Sequence, residues 1–163
     1  MKIPQTKMKD SLVRKTNKRI DKLHGEQASK LHTARVKQEL RDVGLSNIAL
    51  ESMETTYLPK IINSEEHIKG AVFGLQDSSF VMLIATDWRI IFLDRKPMFT
   101  SQDEVNYGVV NGVSLSYGGI GTTVTLHTRI KDFHVATLNP KTAHGFVDYV
   151  EARSMETKKK EVI

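Results

Sequence analysis

The chain is predicted to be α+β: a curled sheet or barrel of seven antiparallel strands, capped by one C-terminal helix and preceded by N-terminal helices. Three observations carry this. The apolar spacing changes from helical to alternating at Ile68. From there, strand-like runs follow one another without the dozen or more residues that a parallel crossover needs. All eleven aromatic residues lie at Tyr57 or beyond, so the first 56 residues contain none of the rings that fill cores disproportionately.

Met8, Leu12, Thr16, Ile20 and Leu23 recur at intervals of three and four, and no β-branched run competes, which predicts a first helix that Gly25 can stop. A second helix is predicted over residues 27–43, with a thinner stripe through Ala28, Leu31 and Leu40 and with Gly44 placed as a left-handed C-terminal cap. Ser46 offers an N-cap to a third, running to about Met53, and Leu58-Pro59 interrupts the pattern. Stripes this narrow form no core by themselves. They require the sheet, each other, a second subunit or an outside ligand.

Strands are predicted at 68–75, 80–86, 89–93, 104–107, 110–117, 122–128 and 133–138. Gln-Asp-Ser-Ser separates the first two, and Arg95-Lys96-Pro97 follows the third. The glycine-rich 118–121 stretch joins the fifth and sixth, where glycines permit positive φ. A two-residue turn at Ile130-Lys131 sets Arg129 opposite Asp132, Thr128 opposite Phe133 and His127 opposite His134. With so little chain between runs the sheet is a meander. Pro140 then opens a helix whose stripe is Ala143, Phe146, Val147 and Val150, and the residues from Glu156 are expected to fray.

A chain of 163 residues supports one core and an extension, but not two full cores. The predicted division is a basic helical extension over 1–56, a sheet domain over 57–155 and a charged tail over 156–163. Absence of cysteine removes disulfides and thiolate chemistry from consideration. The longest apolar run, Phe80 to Ala85, is far short of a membrane span, and a cytoplasmic protein is expected. Charge is asymmetric. Residues 1–41 hold 12 Lys and Arg against 4 Asp and Glu, a balance of +8, whereas residues 42–163 hold 12 against 15, a balance of −3.

The segment Leu-Ile-Ala-Thr-Asp-Trp-Arg-Ile-Ile-Phe-Leu-Asp, residues 83–94, turns between two apolar runs without glycine or proline. Thr86 and Asp87 can accept hydrogen bonds from amides just ahead, Arg89 can pair with Asp87 or satisfy loop carbonyls, and Trp88 can cover the corner. The cluster thus reads as a structural turn. It also resembles the second and third strands of bacterial pleckstrin-homology (PH) domains of the YokE-like type. Leu58-Pro59, Glu65-Glu66, Lys69-Gly70, Asp94 to Pro97, Glu104 to Tyr107, Val113-Ser114 and Phe146 fall in the family's order, over about Tyr57 to Arg153. The resemblance implies a PH-like barrel and carries over no catalytic residue.

Neither Gly-x-Ser-x-Gly nor His-Glu-x-x-His occurs, and the 118–121 glycines lack the lysine of a phosphate loop, so no enzyme, cofactor or metal site is assigned. His127 and His134 share one outer face, but two ligands make a poor metal site. Eukaryotic PH domains hold phosphoinositides with bases from the first hairpin loop. Here that loop carries Asp77 and no base, which disfavours the same binding. Lys7, Arg14, Lys18 and Lys22 share one helix flank and are the candidate binding residues. The expected function is a non-enzymatic interaction module that contacts a protein partner or itself. The alternative is association of the basic helices with nucleic acid or an anionic surface, although the lack of rings there counts against base stacking.

Overall fold

The computed structural model describes residues 5–119 and 121–162. The chain divides into two compact units, one up to Arg35 and one from Val36 onward. In the first, residues 5–35 belong to helix α1 (Gln5–Asp42), and the side chains of residues 6–31 are exposed. The stop expected at Gly25 does not occur. A glycine ends a helix by turning left-handed, and Gly25 is not among the residues with positive φ. Lacking that turn and any following proline, the helix tolerates its glycine.

Gly44, at φ +99, is the true cap. Its N–H donates to the Arg41 carbonyl, the Leu45 N–H donates to the Leu40 carbonyl, and Leu40 and Leu45 are both buried. The third expected helix is two. Ser46 caps α2 (Asn47–Leu50) and Ser52 caps α3 (Met53–Tyr57), each hydroxyl accepting from the amide three residues on. The second serine competes for the amides that a continuous helix would use internally. Leu58-Pro59-Lys60 then makes a 3-10 turn.

The strands are β1 (Ile68–Gln76), β2 (Ser79–Thr86), β3 (Ile90–Arg95), β4 (Thr100–Val105), β5 (Val110–Tyr117), β6 (Thr122–Thr128) and β7 (Asp132–Thr137). They form one antiparallel sheet in the order β4-β3-β2-β1-β7-β6-β5. The fold is the PH-like one expected. Helix α4 (Pro140–Glu161) closes it, and continues through the charged residues expected to fray. Lys158, Lys159 and Lys160 lie in its last turn, where cations suit the negative end of the helix dipole. The fourth strand sits earlier than expected, because Tyr107–Val109 is a 3-10 turn capped by Asn106.

Two apolar layers share the first three strands. Val72, Leu83, Ile90 and Phe92 face Phe133 and the α4 residues Phe146 and Val150. The alternate positions, Ala71, Met82, Ile84, Ile91 and Leu93, face a cover built from Val36, Leu40, Leu50, Leu58 and Ile62. This explains why β2 is an unbroken apolar run: both of its faces are buried. Residues 36–56, which composition grouped with the extension, supply much of the second layer.

The β6–β7 register differs from the one expected. His127 pairs with Asp132, Leu126 with Phe133 and Thr125 with His134, a slip of two residues. A two-residue slip keeps every side chain on its face, so Val124, Leu126, Phe133 and Val135 still point inward. The cause is Thr128, whose hydroxyl accepts from the amides of Ile130 and Lys131 and donates to the Lys131 carbonyl. That bonding centres the turn on Arg129-Ile130.

Candidate functional site

The corner at 86–89 is held by the Thr86 hydroxyl, which accepts from the amides of Trp88 and Arg89 at 3.1 and 3.0 Å. This is the same device that Thr128 provides in the other hairpin. Arg89 does not pair with Asp87. Its Nε donates to Glu66 Oε1 at 2.9 Å, one terminal nitrogen reaches Glu66 Oε2 and the Ile61 carbonyl, and the other pairs with Glu104 at 2.8 Å. Asp87 instead accepts the His67 amide at 2.9 Å and returns its own amide to the His67 carbonyl. Trp88 is half exposed and covers little.

The sequence places Glu66 in the PH-like pattern but assigns it no partner. Its carboxylate is completely buried. Burial alone would raise its pKa, but hydrogen bonds from Arg89, the Asn63 amide and Thr86, with the charge of Arg89, outweigh this and hold it below the ordinary carboxylate range. The Tyr107 hydroxyl donates to the Thr86 carbonyl, and burial pushes that phenol up. Arg153 of α4 donates to the Asp87 carbonyl at 3.0 Å. The corner therefore fastens the segment before β1, the strands β2 to β4 and the closing helix. Most of its polar groups bond to one another, the buried Nε of Arg153 being an exception without a hydrogen-bond partner among the described residues.

The four candidate cations Lys7, Arg14, Lys18 and Lys22 all lie on the exposed part of α1. Lys7, Arg14 and Lys18 line one shallow depression, but Asp10 and Asp21 line it too. The positive flank is thus interrupted by acids at helical spacing. On the sheet, His127 pairs with Asp132 at 3.1 Å and His134 meets the Thr125 hydroxyl at 3.0 Å. Among the described residues no group of three or more His, Cys, Asp or Glu is placed to hold a metal. In the first hairpin loop Asp77 and Ser78 take positive φ, 49° and 66°, and no base enters the turn.

A different place offers an open surface. A groove of about 800 Å³ lies where the second apolar layer runs out, walled by α2, β1, β2, β7 and the start of α4. Its lining includes Ile48, Phe73, Leu75, Phe80 and Leu138, with Lys141 as the sole ionisable side chain. Ile48 and Leu138 are each 77% exposed, and Phe80 is 53% exposed. The opening has two causes. The helical cover ends at α2 and α3, short of the strand ends. The sheet is also thinly joined between β1 and β7, whose register has one pair, Leu75 with Ala136. Gly74 permits that approach, since a Cβ there would lie 2.1 Å from the Ala136 carbonyl oxygen. Sequence spacing hid the groove, because its walls come from positions 46 and 142 as well as from neighbouring strands.

A curled antiparallel sheet closed by one helix, with a scaffold corner at one end and an apolar groove elsewhere, defines a PH-like module. The sequence pattern of the bacterial PH domain family matches residues 62–152, more than half of the chain, and the chain belongs to that family. One similar solved structure is a DUF1696 family protein with a pleckstrin-homology domain from Shewanella loihica, 16% identical, with a TM-score of 0.35. That alignment covers 50% of this chain and 76% of the other. No curated protein gives a match. Among the described residues no helix is long and apolar enough to cross a membrane.

Proposed function

We propose that this YokE-like PH module is a non-enzymatic interaction domain which holds an apolar segment of a protein partner, or of itself, in the groove beside Ile48 and Leu138. The observation that carries the reading is the groove's continuity with the core: Phe73 packs against the second apolar layer and stacks on Phe80 at 5.2 Å, yet Phe80 is left half in water. Contiguous exposed apolar surface of this kind marks contact sites. Burying a large apolar side chain contributes about 1.5 to 3 kcal/mol, so a segment that fills the groove has a substantial driving force before ordering costs.

The second reading, association with nucleic acid or an anionic surface, rests on the exposed cations Lys7, Arg14, Lys18 and Lys22. The two separate by salt. Phosphate contacts weaken steeply as salt rises, whereas an apolar contact does not. The test places a photo-crosslinker at position 141, an exposed position on the groove wall, in the full chain in its native host and identifies the adducts by mass. It then compares the Ile48→Gln/Leu138→Gln variant with a variant carrying glutamate at the four basic positions. Protein adducts lost only in the groove variant support the proposal. Salt-sensitive DNA or RNA binding lost only in the charge variant, without groove adducts, overturns it in favour of the alternative.

A further inference from the structure

Apolar area gives the groove beside Leu138 its affinity, and the polar side chains left over for an occupant give it selectivity. The lining holds five polar side chains, Ser46, Thr137, Asn139, Lys141 and Thr142, and none is acidic. Four of them are engaged within the chain. Ser46 Oγ accepts the Ala49 amide at 3.4 Å, and Thr137 Oγ1 accepts the Asn139 amide at 3.1 Å. The Asn139 side chain accepts the Thr142 amide and donates to the Gly44 carbonyl, while the Thr142 hydroxyl donates to the Asn139 carbonyl at 3.0 Å.

Lys141 differs from the other four. It is exposed, and among the described residues it makes no hydrogen bond or ion pair through its side chain. It also stands in the first turn of α4, which holds no acid, at the helix end where the dipole disfavours a cation. Nothing inside the chain compensates that placement. An ammonium offers three donors and no acceptor, so the group that satisfies it is an acceptor. Of the acceptors that a protein segment carries, an ionised carboxylate makes the strongest bond.

We infer that the partner segment received by the groove is apolar and places a carboxylate, with no base beside it, against Lys141. The inference rests on the docking function just proposed and names the chemistry of the partner. The carboxylate is that of Asp, of Glu or of a chain end. A base at the same point sets like charges together against an apolar wall, which rejects it. An exposed ion pair changes affinity by only roughly two- to fivefold. Lys141 therefore ranks apolar segments and does not hold them, and a crosslinker in its place still captures a partner.

The experiment pans the full-length chain against displayed random peptides, presented both as internal segments and with free C-termini. Peptides enriched by the parent chain and lost with Ile48→Gln/Leu138→Gln define the groove binders. These are expected to carry large apolar residues with Asp, Glu or the free C-terminus at one fixed offset. Lys141→Met is expected to lose that preference while still enriching apolar peptides, and Lys141→Glu to replace it with Lys or Arg. Because Lys141 is exposed, both variants are expected to melt as the parent does. For one enriched peptide, changing the acid to its amide is expected to weaken binding to the parent roughly two- to fivefold in fluorescence anisotropy, and to leave binding to Lys141→Met unchanged. Groove binders without a preferred acid, or an acid preference that survives Lys141→Met, overturn the inference while sparing the docking function. Absence of any groove-dependent peptide sinks both.

Discussion

At the scale of single residues, the corner at 86–89 shows how the physical chemistry of one side chain is set by partners far away in sequence. Arg89 is neutralised by Glu66, 23 residues earlier, and by Glu104 on β4. A buried carboxylate needs such pairing, because desolvation otherwise drives it to take up a proton. The folded pKa of Glu66 lies below its unfolded value of about 4.3. Its ionised form therefore stabilises the fold fully above that value, and the contribution is lost as pH falls through the depressed folded pKa. Glu66→Gln is expected to lower stability at neutral pH and to flatten the acid limb of the stability profile, which urea melts at a series of pH values measure. Asp87→Ala removes the acceptor of the His67 amide and is expected to cost about 1 to 2 kcal/mol without affecting groove adducts. Loss of adducts at unchanged stability would move the corner from scaffold to site.

Individual elements are governed by caps and turns that sequence rules describe but do not rank. Thr86 and Thr128 build the same four-residue turn, with the hydroxyl accepting from the second and third amides ahead. The signal is legible at both places, since each turn begins with threonine and ends in a base. At 128 a two-residue reading centred on Ile130-Lys131 competes with it, and the hydroxyl decides. Thr128→Val is expected to cost about 1 kcal/mol and to broaden the amide resonances of the β6–β7 hairpin. Gly25 has no heavy atom within 4 Å of an added Cβ and stands inside a helix. Gly25→Ala is expected to stabilise that helix by about 0.8 to 1 kcal/mol, read as a gain in ellipticity and slower amide exchange over residues 8–35. No change would show that Gly25 is not helical in solution.

For the whole molecule, the question is where the folding unit begins. Aromatic content puts the boundary at Tyr57, whereas the second apolar layer draws on Val36, Leu40, Leu45, Ala49 and Leu50. A fragment starting at 57 keeps Leu58 and Ile62 but loses the rest of this cover, which partly bares Met82, Ile84, Ile91 and Leu93, and full burial of such side chains is worth about 1.5 to 3 kcal/mol each. Residues 36–162 are therefore expected to give a cooperative thermal transition, and residues 57–155 a much weaker one. Equal transitions would restore the boundary at Tyr57 and reduce the helical cover to an ornament on a self-sufficient sheet.

Local periodicity accounts for much of this fold. Short apolar and alternating runs from Ile68 specified seven strands, their short connections made the sheet antiparallel, and the stripe from Ala143 to Val150 specified the closing helix. The hinge text with its ordered neighbours was enough to point to the PH family, and charge counts alone separated a basic front from a mildly acidic remainder. These features are set within a few residues of each other, where sterics and side-chain spacing act directly. Tertiary structure alone decided the partner of Arg89, the burial of Glu66, the membership of residues 36–56 in the core and the groove beside Leu138. Each of these depends on surfaces brought together from distant positions, and in each the deciding quantity is desolvation, which a residue's neighbours in sequence do not determine.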